Sequence, residues 1–185
     1  MPAHTVNRLC ASGLDAVNAG ARLVALGEHD IVLTGGVESM SRAPWSVPKP
    51  HTEPPRGNNT MYDTALGWRF PNPKLEARFP LEAMGETAEN LAEAFAISRA
   101  SQDEFALASH RKSLTAQAEG AFARELVSVQ APAGKGWLEV SADEGPRADA
   151  SLESLAKLKP AFRAGGTVTA GNSSTLNDGA ACLVL

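Results

Sequence analysis

Hydrophobic residues recur at helical spacing in several stretches of the chain. In Ala11–Leu26 they form one apolar stripe, which consists of Leu14, Val17, Ala21, Val24 and Ala25. The same spacing predicts three further helices, over Met84–Ile97, Ser101–Phe122 and Leu152–Leu158. Ser101 and Glu104 are three residues apart, as in a capping box, and this predicts that the longest helix begins at Ser101.

Short apolar runs between the helices predict strands. His4–Arg8 is interpreted as extended and Ile31–Thr34 as a buried strand, so that the first helix joins them in a right-handed βαβ unit. Two further runs predict a hairpin around Pro132 and Gly134, namely Leu126–Val129 and Trp137–Val140. The segment Thr167–Leu185 opens and closes with strand character around a polar turn. This alternation indicates an α/β fold.

The regular pattern breaks down between Met40 and Pro80. Prolines are frequent there, at positions Pro44, Pro48, Pro50, Pro54, Pro55, Pro71, Pro73 and Pro80. Such a stretch is too irregular for the layers of a sheet. Because long ordered loops usually serve binding or interfaces, the stretch is a candidate for either role.

Composition excludes several function classes. The chain has 185 residues, of which 43% are hydrophobic and 21% charged, and a net charge of −4 with no basic block, so we expect no nucleic-acid partner. No apolar run approaches the ~20 residues of a membrane span, and Met1–Cys10 lacks the pattern of a signal peptide, so we expect a cytoplasmic protein without a membrane partner. Cys10 and Cys182 form no metal-binding or disulfide pattern.

Cys10 is the candidate for covalent chemistry. In the stretch TVNRLCASGLDAV it lies where a strand should meet the first turn of a helix, and the positive end of the helix dipole there would favour the thiolate. The small residues Ala11, Ser12 and Gly13 leave room for a substrate carbonyl. Free cysteines are commonly small buried hydrophobes, so these residues alone leave open whether Cys10 is a packed thiol or a nucleophile.

Three motifs resemble those of thiolases, which form or cleave 3-ketoacyl-CoA by acyl transfer through a cysteine: VNRLCASGLDAV, VLTGGVESMSRAPW and GTVTAGNSSTLNDGAA. AMGETAENLAEAF and SLAKLKPAF lie between them and extend the resemblance, in order, along essentially the whole chain. TALGWRFPNP is most similar to the degradative 3-ketoacyl-CoA or 3-ketoadipyl-CoA thiolases, which implies a role in fatty acid or aromatic degradation.

The resemblance implies an incomplete thiolase-like α/β fold. Residues 1–40 and 163–185 would be parts of the N-terminal mixed-sheet domain, residues 41–162 an α+β loop domain that binds CoA, and the C-terminal thiolase domain would be absent. The family's first sheet has the strand order 3-2-1-4-5, and the chain offers counterparts of strands 3, 4 and 5 only. A strand at His4–Arg8 would therefore lack its neighbours.

The resemblance also implies a set of site residues. Cys10 would be the acyl-accepting nucleophile, and the CoA groove would be lined by Leu75, Met84, Arg147, Ser154, Phe162, Ala170, Ser174 and Leu176. Apolar walls would hold pantetheine and adenine, hydroxyls would bond its amides, and a guanidinium would lie near a phosphate. Taken singly, the apolar members are more often core residues, and Arg147 would be a solvated charge.

The same resemblance implies that CoA is a substrate rather than a permanently bound cofactor, that no metal is needed, and that the protein is a homo-oligomer. One departure concerns Ala83, since some thiolases have a histidine immediately before the Met84 position. A groove contact at that place is therefore not expected here.

Three motifs of the thiolase cycle do not occur in the sequence: a histidine in GHP, a cysteine in CxG and an asparagine in NEAF. Cys182 lies in AACLVL, an apolar strand context that predicts a packed thiol. Two functions therefore remain open. One is an acyl-CoA acyltransferase whose acid–base groups lie outside this sequence, and the other is a noncatalytic thiolase remnant or CoA-binding fragment. A decarboxylating ketosynthase shares the helix-start cysteine but not the CoA-binding loop pattern.

Overall fold

The computed structural model describes residues 2–49 and 56–185, which form two compact units. Unit 1 comprises Met1–Phe70 and Leu176–Leu185, and unit 2 comprises Pro71–Thr175. The helices are α1 (Ser12–Ala25), α2 (Pro73–Glu76), α3 (Met84–Ala94), α4 (Arg99–Ala118) and α5 (Leu152–Ala156). The strands are β1 (Leu33–Glu38), β2 (Trp45–Ser46), β3 (Tyr62–Asp63), β4 (Val129–Ala133), β5 (Gly136–Val140) and β6 (Gly179–Val184). The assignment of residues 1–40, 41–162 and 163–185 to thiolase domains stays a prediction.

Unit 1 is built on an antiparallel pair, β1 and β6, with α1 packed on β1. The register runs from Leu33 opposite Val184 to Glu38 opposite Gly179. No described residue pairs with His4–Arg8 as a strand, so the predicted first strand and the βαβ unit are wrong. A strand needs a hydrogen-bonding neighbour, and the described residues offer none at this place.

The predicted first helix is confirmed as α1, but its predicted apolar stripe is only partly correct. Val17 and Val24 are half-buried, whereas Leu14 is 67% exposed and Ala21 and Ala25 are also exposed. The face that packs on the sheet is centred on Gly20, which is buried. A glycine adds nothing to a hydrophobic pattern, yet the lack of a Cβ lets the helix approach the strand closely.

Gly20 makes a testable contribution to stability. A Cβ there would collide with Thr34 Cγ2 and lie 3.1 Å from Leu185 Cδ1 and 3.2 Å from Val32 Cγ1. We expect Gly20→Ala to lower the free energy of unfolding by about 1–3 kcal/mol because the contact is overpacked. Urea unfolding followed by circular dichroism measures the change.

Gly13→Ala is the matched control in the same helix. A Cβ at Gly13 has no other atom within 4 Å, so this change should be neutral or stabilise α1 by up to about 1 kcal/mol. Equal unfolding free energies for the two variants would contradict the close packing of α1 on β1.

The predicted irregular region between residues 40 and 80 contains only short elements where it is described. These are a 3-10 turn at Met40–Arg42, β2 paired with β3, and the four-residue α2. Pro50, Pro54 and Pro55 lie outside the described residues.

Unit 2 confirms the predicted helices and the hairpin, with two corrections. The first strand of the hairpin is Val129–Ala133, which includes Pro132, and not Leu126–Val129. The N-cap of α4 is Ser98, whose Oγ accepts the N–H of Ser101 at 3.1 Å, so the predicted capping box at Ser101 is wrong. The helix begins earlier because Ser98 satisfies an unpaired N–H of its first turn. In the hairpin, Gly134 has φ +59° and begins the two-residue loop between β4 and β5.

The remaining elements of unit 2 are short. The predicted helix over Leu152–Leu158 is confirmed as α5, which begins with a capping box between Ser151 and Ser154. The predicted strand character at the start of the segment 167–185 amounts to one bridge, between Pro160 and Thr169, because this part of the chain bonds mainly to side chains. Its end is confirmed as β6. Within residues 2–49 and 56–185, no helix is long and apolar enough to cross a membrane.

Candidate functional site

Cys10 lies at the surface of unit 1, in the 3-10 turn Leu9–Ala11 that leads directly into α1. Its thiol is free and exposed. The prediction that Cys10 precedes the first turn of a helix is therefore confirmed, and Cys10 is not a packed core thiol in this structure.

The turn that carries Cys10 is held in an unusual backbone conformation. Leu9 has φ +52°, in the left-handed region that non-glycine residues rarely adopt. Its N–H donates to Asn7 Oδ1 at 2.9 Å, and its carbonyl accepts the Ser12 hydroxyl at 2.7 Å. The Arg8 N–H donates to Ser12 Oγ at 2.8 Å. These bonds offset a strain of roughly 1–3 kcal/mol and fix the place of the next residue, Cys10.

Cys182 is also exposed, so the prediction of a packed thiol is wrong. It lies opposite Gly35 in the β1–β6 pair, next to the Thr34 position that α1 covers. Side chains alternate between the faces of a sheet, so Cys182 is on the face away from α1. An apolar sequence context alone does not provide the second layer that would bury it.

Two of the predicted groove residues, Met84 and Phe162, lie at the start of α3. Met84 is the first residue of this helix and is 82% exposed. The ring of Phe162 lies against the backbone of the next residue, Gly85, where a Cβ would collide with it. A glycine at this place is therefore required for the Phe162 ring to pack on the first turn of α3.

The chain neighbours of Ser154 and Ala170 pack against each other. Leu155, which follows Ser154, packs on Gly171, which follows Ala170: a Cβ on Gly171 would lie 2.5 Å from Leu155 Cδ2. The Ser154 hydroxyl donates to the Ser151 carbonyl at 2.9 Å and accepts the Ser151 N–H at 3.0 Å. The Ser154 hydroxyl therefore caps the start of α5, and Ser154 is exposed.

Arg147 is held by an acidic neighbour that the sequence patterns did not single out. Its Nε and Nη2 donate to Asp149 at 3.2 and 2.9 Å, and its backbone N–H donates to His110 Nδ1 at 3.2 Å. The hydrogen bond and the charge of Arg147 hold the pKa of Asp149 below its usual range, and the same pair raises the pKa of Arg147. A guanidinium has five N–H donors, so the pair leaves capacity for an anion.

The nine predicted site residues divide between the two units. Unit 1 holds Cys10 and Leu176, and unit 2 holds Leu75, Met84, Arg147, Ser154, Phe162, Ala170 and Ser174. All nine are exposed. Exposure is what a binding surface requires, and it means that the apolar members are not core residues here. Their roles toward CoA stay predictions.

Leu176 is followed by a fixed segment. Asp178 accepts the N–H of Ser41 at 2.8 Å and its hydroxyl at 2.6 Å, which ties the residue before β6 to the 3-10 turn that follows β1. These bonds hold the pKa of Asp178 below its usual range. Among the described residues, no three His, Cys, Asp or Glu side chains are grouped so that they could hold a metal ion.

The chain matches a known family of proteins along its length. The family described as "Thiolase, N-terminal domain" matches residues 1–185. The chain therefore belongs to the thiolase family, and its mixed helices and strands represent a partial thiolase fold.

Two curated relatives carry the same, more specific name. The beta-ketoadipyl-CoA thiolase of Acinetobacter baylyi is 48% identical over 186 residues, covering 100% of this chain and 46% of that protein. The beta-ketoadipyl-CoA thiolase of Pseudomonas knackmussii is 50% identical over 185 residues, with the same coverage. The chain thus spans about half the length of the curated relatives it matches.

A solved thiolase structure has a similar fold. The human mitochondrial 3-ketoacyl-CoA thiolase superposes with a TM-score of 0.83 at 35% identity, over 99% of this chain and 45% of that one. The likeness extends over nearly all of the described fold.

Proposed function

We propose that the chain carries the acyl-accepting part of a thiolase-type acyl-CoA acyltransferase. The observation that carries the proposal is the exposed Cys10 on a strained turn at the start of α1. A nucleophile on a sharp turn before a helix is accessible to a substrate carbonyl. Membership of the thiolase family supports the same role.

The proposed reaction has two steps. Cys10 gives up its thiol proton to a base, its sulfur bonds to the 3-keto carbon of a 3-ketoacyl-CoA, and the bond between carbons 2 and 3 breaks. Carbon 2 gains a proton and leaves as acetyl-CoA. The thiol of a second CoA then takes the acyl group, and a proton returns to Cys10. The proton transfers need acid and base groups, for which we propose residues outside this sequence, since it lacks the GHP and CxG motifs.

For the substrate we propose a degradative 3-ketoacyl-CoA such as 3-ketoadipyl-CoA. The support is the high identity to two proteins named beta-ketoadipyl-CoA thiolase. CoA is a substrate in this scheme, and the exposed surface of unit 2 around Met84, Phe162 and Arg147 is proposed to bind it.

A noncatalytic CoA-binding fragment is the second candidate, and the missing acid–base motifs favour it. Quenched incubation of the chain with acetyl-CoA separates the two functions. Exchange of the acyl group between CoA and Cys10 needs no carbon–carbon bond cleavage, so an acyl acceptor releases up to one equivalent of CoA per chain. A fragment that only binds releases none.

Arg147 provides a test of the CoA surface. We expect Arg147→Ala to weaken CoA binding at least tenfold, because a hydrogen bond to a charged group contributes ~1.5–3 kcal/mol. Ser174→Ala should weaken it less, about three- to fivefold, because its bond is neutral. Titration calorimetry with CoA measures both.

Arg124→Ala is the control, since Arg124 is an exposed arginine of the same unit outside the predicted groove. It should bind CoA as the unchanged chain does. Identical affinities in all of these variants would contradict the assignment of the groove.

A further inference from the structure

Glu89 is a buried carboxylate that the thiolase-like reaction described above does not use. It lies in α3, is 4% exposed, and receives hydrogen bonds from a distant part of the chain. Oε1 accepts the N–H of Thr167 at 2.8 Å and of Val168 at 2.7 Å, and Oε2 accepts the Thr167 hydroxyl at 3.0 Å. Burial of a carboxylate is costly unless such donors satisfy it.

The donors belong to one short segment, residues 167–172, which we call the 167–172 loop. Its other end is also anchored: the Thr169 N–H donates to Asn172 Oδ1 at 2.7 Å, and Asn172 Nδ2 donates to Asp103 at 3.0 Å. Thr169 is fully buried, whereas the next residue, Ala170, is exposed. Two buried acidic side chains thus fix the loop that presents Ala170.

The backbone before the loop is shaped to admit the carboxylate. A Cβ on Gly166 would collide with Glu89 Oε1 and with its carboxyl carbon. Only glycine leaves the space that the short bonds to Thr167 and Val168 require. The contact therefore depends on residues from both sides, α3 and the chain leading into the loop.

Glu89 remains ionised in this setting. Burial raises the pKa of Glu89. The hydrogen bonds from Thr167 and Val168 and the nearby charge of Arg163 lower it by more than burial raises it, so the net pKa is below the usual range. Arg163 is itself bound to Glu86 at 2.7 Å, so it is shared between acidic partners. An ionised carboxylate is an acceptor only, as its three donors demand.

We propose that Glu89 is a positioning residue for CoA binding, because it holds the 167–172 loop in the conformation that presents Ala170. The proposal rests on the proposed function, in which CoA binds to unit 2. A loop without this anchor must be ordered when the ligand binds, and the cost of that ordering is subtracted from the affinity.

Glu89→Gln tests the role with the smallest change of shape. The amide has one acceptor oxygen and a donor group, so it cannot satisfy all three donors. We expect CoA binding, measured by titration calorimetry, to weaken at least tenfold. Amide exchange at Thr167 and Val168 should accelerate, while exchange in α4 stays unchanged; a merely structural loss would instead accelerate exchange throughout unit 2.

Glu139→Gln is the control, since it removes one negative charge from an exposed position of β5 in the same unit. It should leave CoA affinity and loop exchange unchanged. If Glu89→Gln does not fold, Thr167→Val keeps both backbone donors to Glu89 and removes the hydroxyl, which donates to Glu89 and accepts Gln102 Nε2 at 2.9 Å; it should weaken CoA binding about threefold.

The failures of the two proposals are distinguishable. A chain that binds CoA equally tightly with and without Glu89→Gln, or with Thr167→Val where only that variant folds, overturns the positioning role alone. An unchanged chain that gives no heat with millimolar CoA overturns both the CoA-binding surface and the positioning role.

Discussion

Replacing Cys10 with alanine is expected to abolish acyl transfer from acyl-CoA to the chain. Alanine has no group that can form a thioester, so no covalent intermediate can arise at this position. CoA binding should be mostly retained, because the proposed binding residues other than Leu176 belong to unit 2. The intact mass of the chain after incubation with acetyl-CoA and acid quenching reports the acyl group.

Cys182→Ala is the matched control, since Cys182 is the only other cysteine and is also exposed. It should acquire the acyl group to the same extent as the unchanged chain. Residual acylation of Cys10→Ala at the unchanged level would show that the acceptor is another residue.

The second large effect concerns turnover by the chain on its own. We expect cleavage of acetoacetyl-CoA by CoA to be at least ~10³-fold slower than by a full-length thiolase, because a nucleophile and its base act as a unit. The sequence contains no GHP histidine and no CxG cysteine to serve as base or acid. Loss of the substrate's absorbance, followed with chain purified free of host thiolase, measures the rate.

A full-length beta-ketoadipyl-CoA thiolase relative, assayed under the same conditions, provides the reference rate. Turnover by the chain within tenfold of that reference would contradict the account. It would mean that residues within this sequence supply the proton transfers.

Local patterns predicted the helices and the existence of the hairpin, but not the position of its first strand. Periodicity located α1, α3 and α4, because apolar residues at helical spacing favour a helix, although they did not identify the residues that each helix buries. The start of α4 was missed because Ser98 and Ser101 are both good caps, and only the backbone geometry shows which one is used. The stripe of α1 was misjudged because its closest contact, Gly20, has no side chain to count.

Some features of the candidate site could be predicted from the sequence and others could not. Cys10 could be singled out from its neighbours, because its position before a helix is a local property. The left-handed Leu9 could not, since nothing in NRLCAS requires a positive φ. Asn and Ser are typical turn residues, so Asn7 and Ser12 offered a weak signal.

Glu89 lay beyond sequence reasoning for another reason. Its partners Thr167 and Val168 are 78 and 79 residues away along the chain. A glutamate on a helix is ordinarily a solvated charge. Only the folded chain shows that it is buried and that it anchors a loop.

Peptide mapping of the acylated chain tests the central claim most directly. The unchanged chain is incubated with acetyl-CoA, quenched in acid and digested, and tandem mass spectrometry locates the acyl group. The account predicts one acyl group, on Cys10. An acyl group on Cys182 or another residue, with Cys10 unmodified, would contradict it.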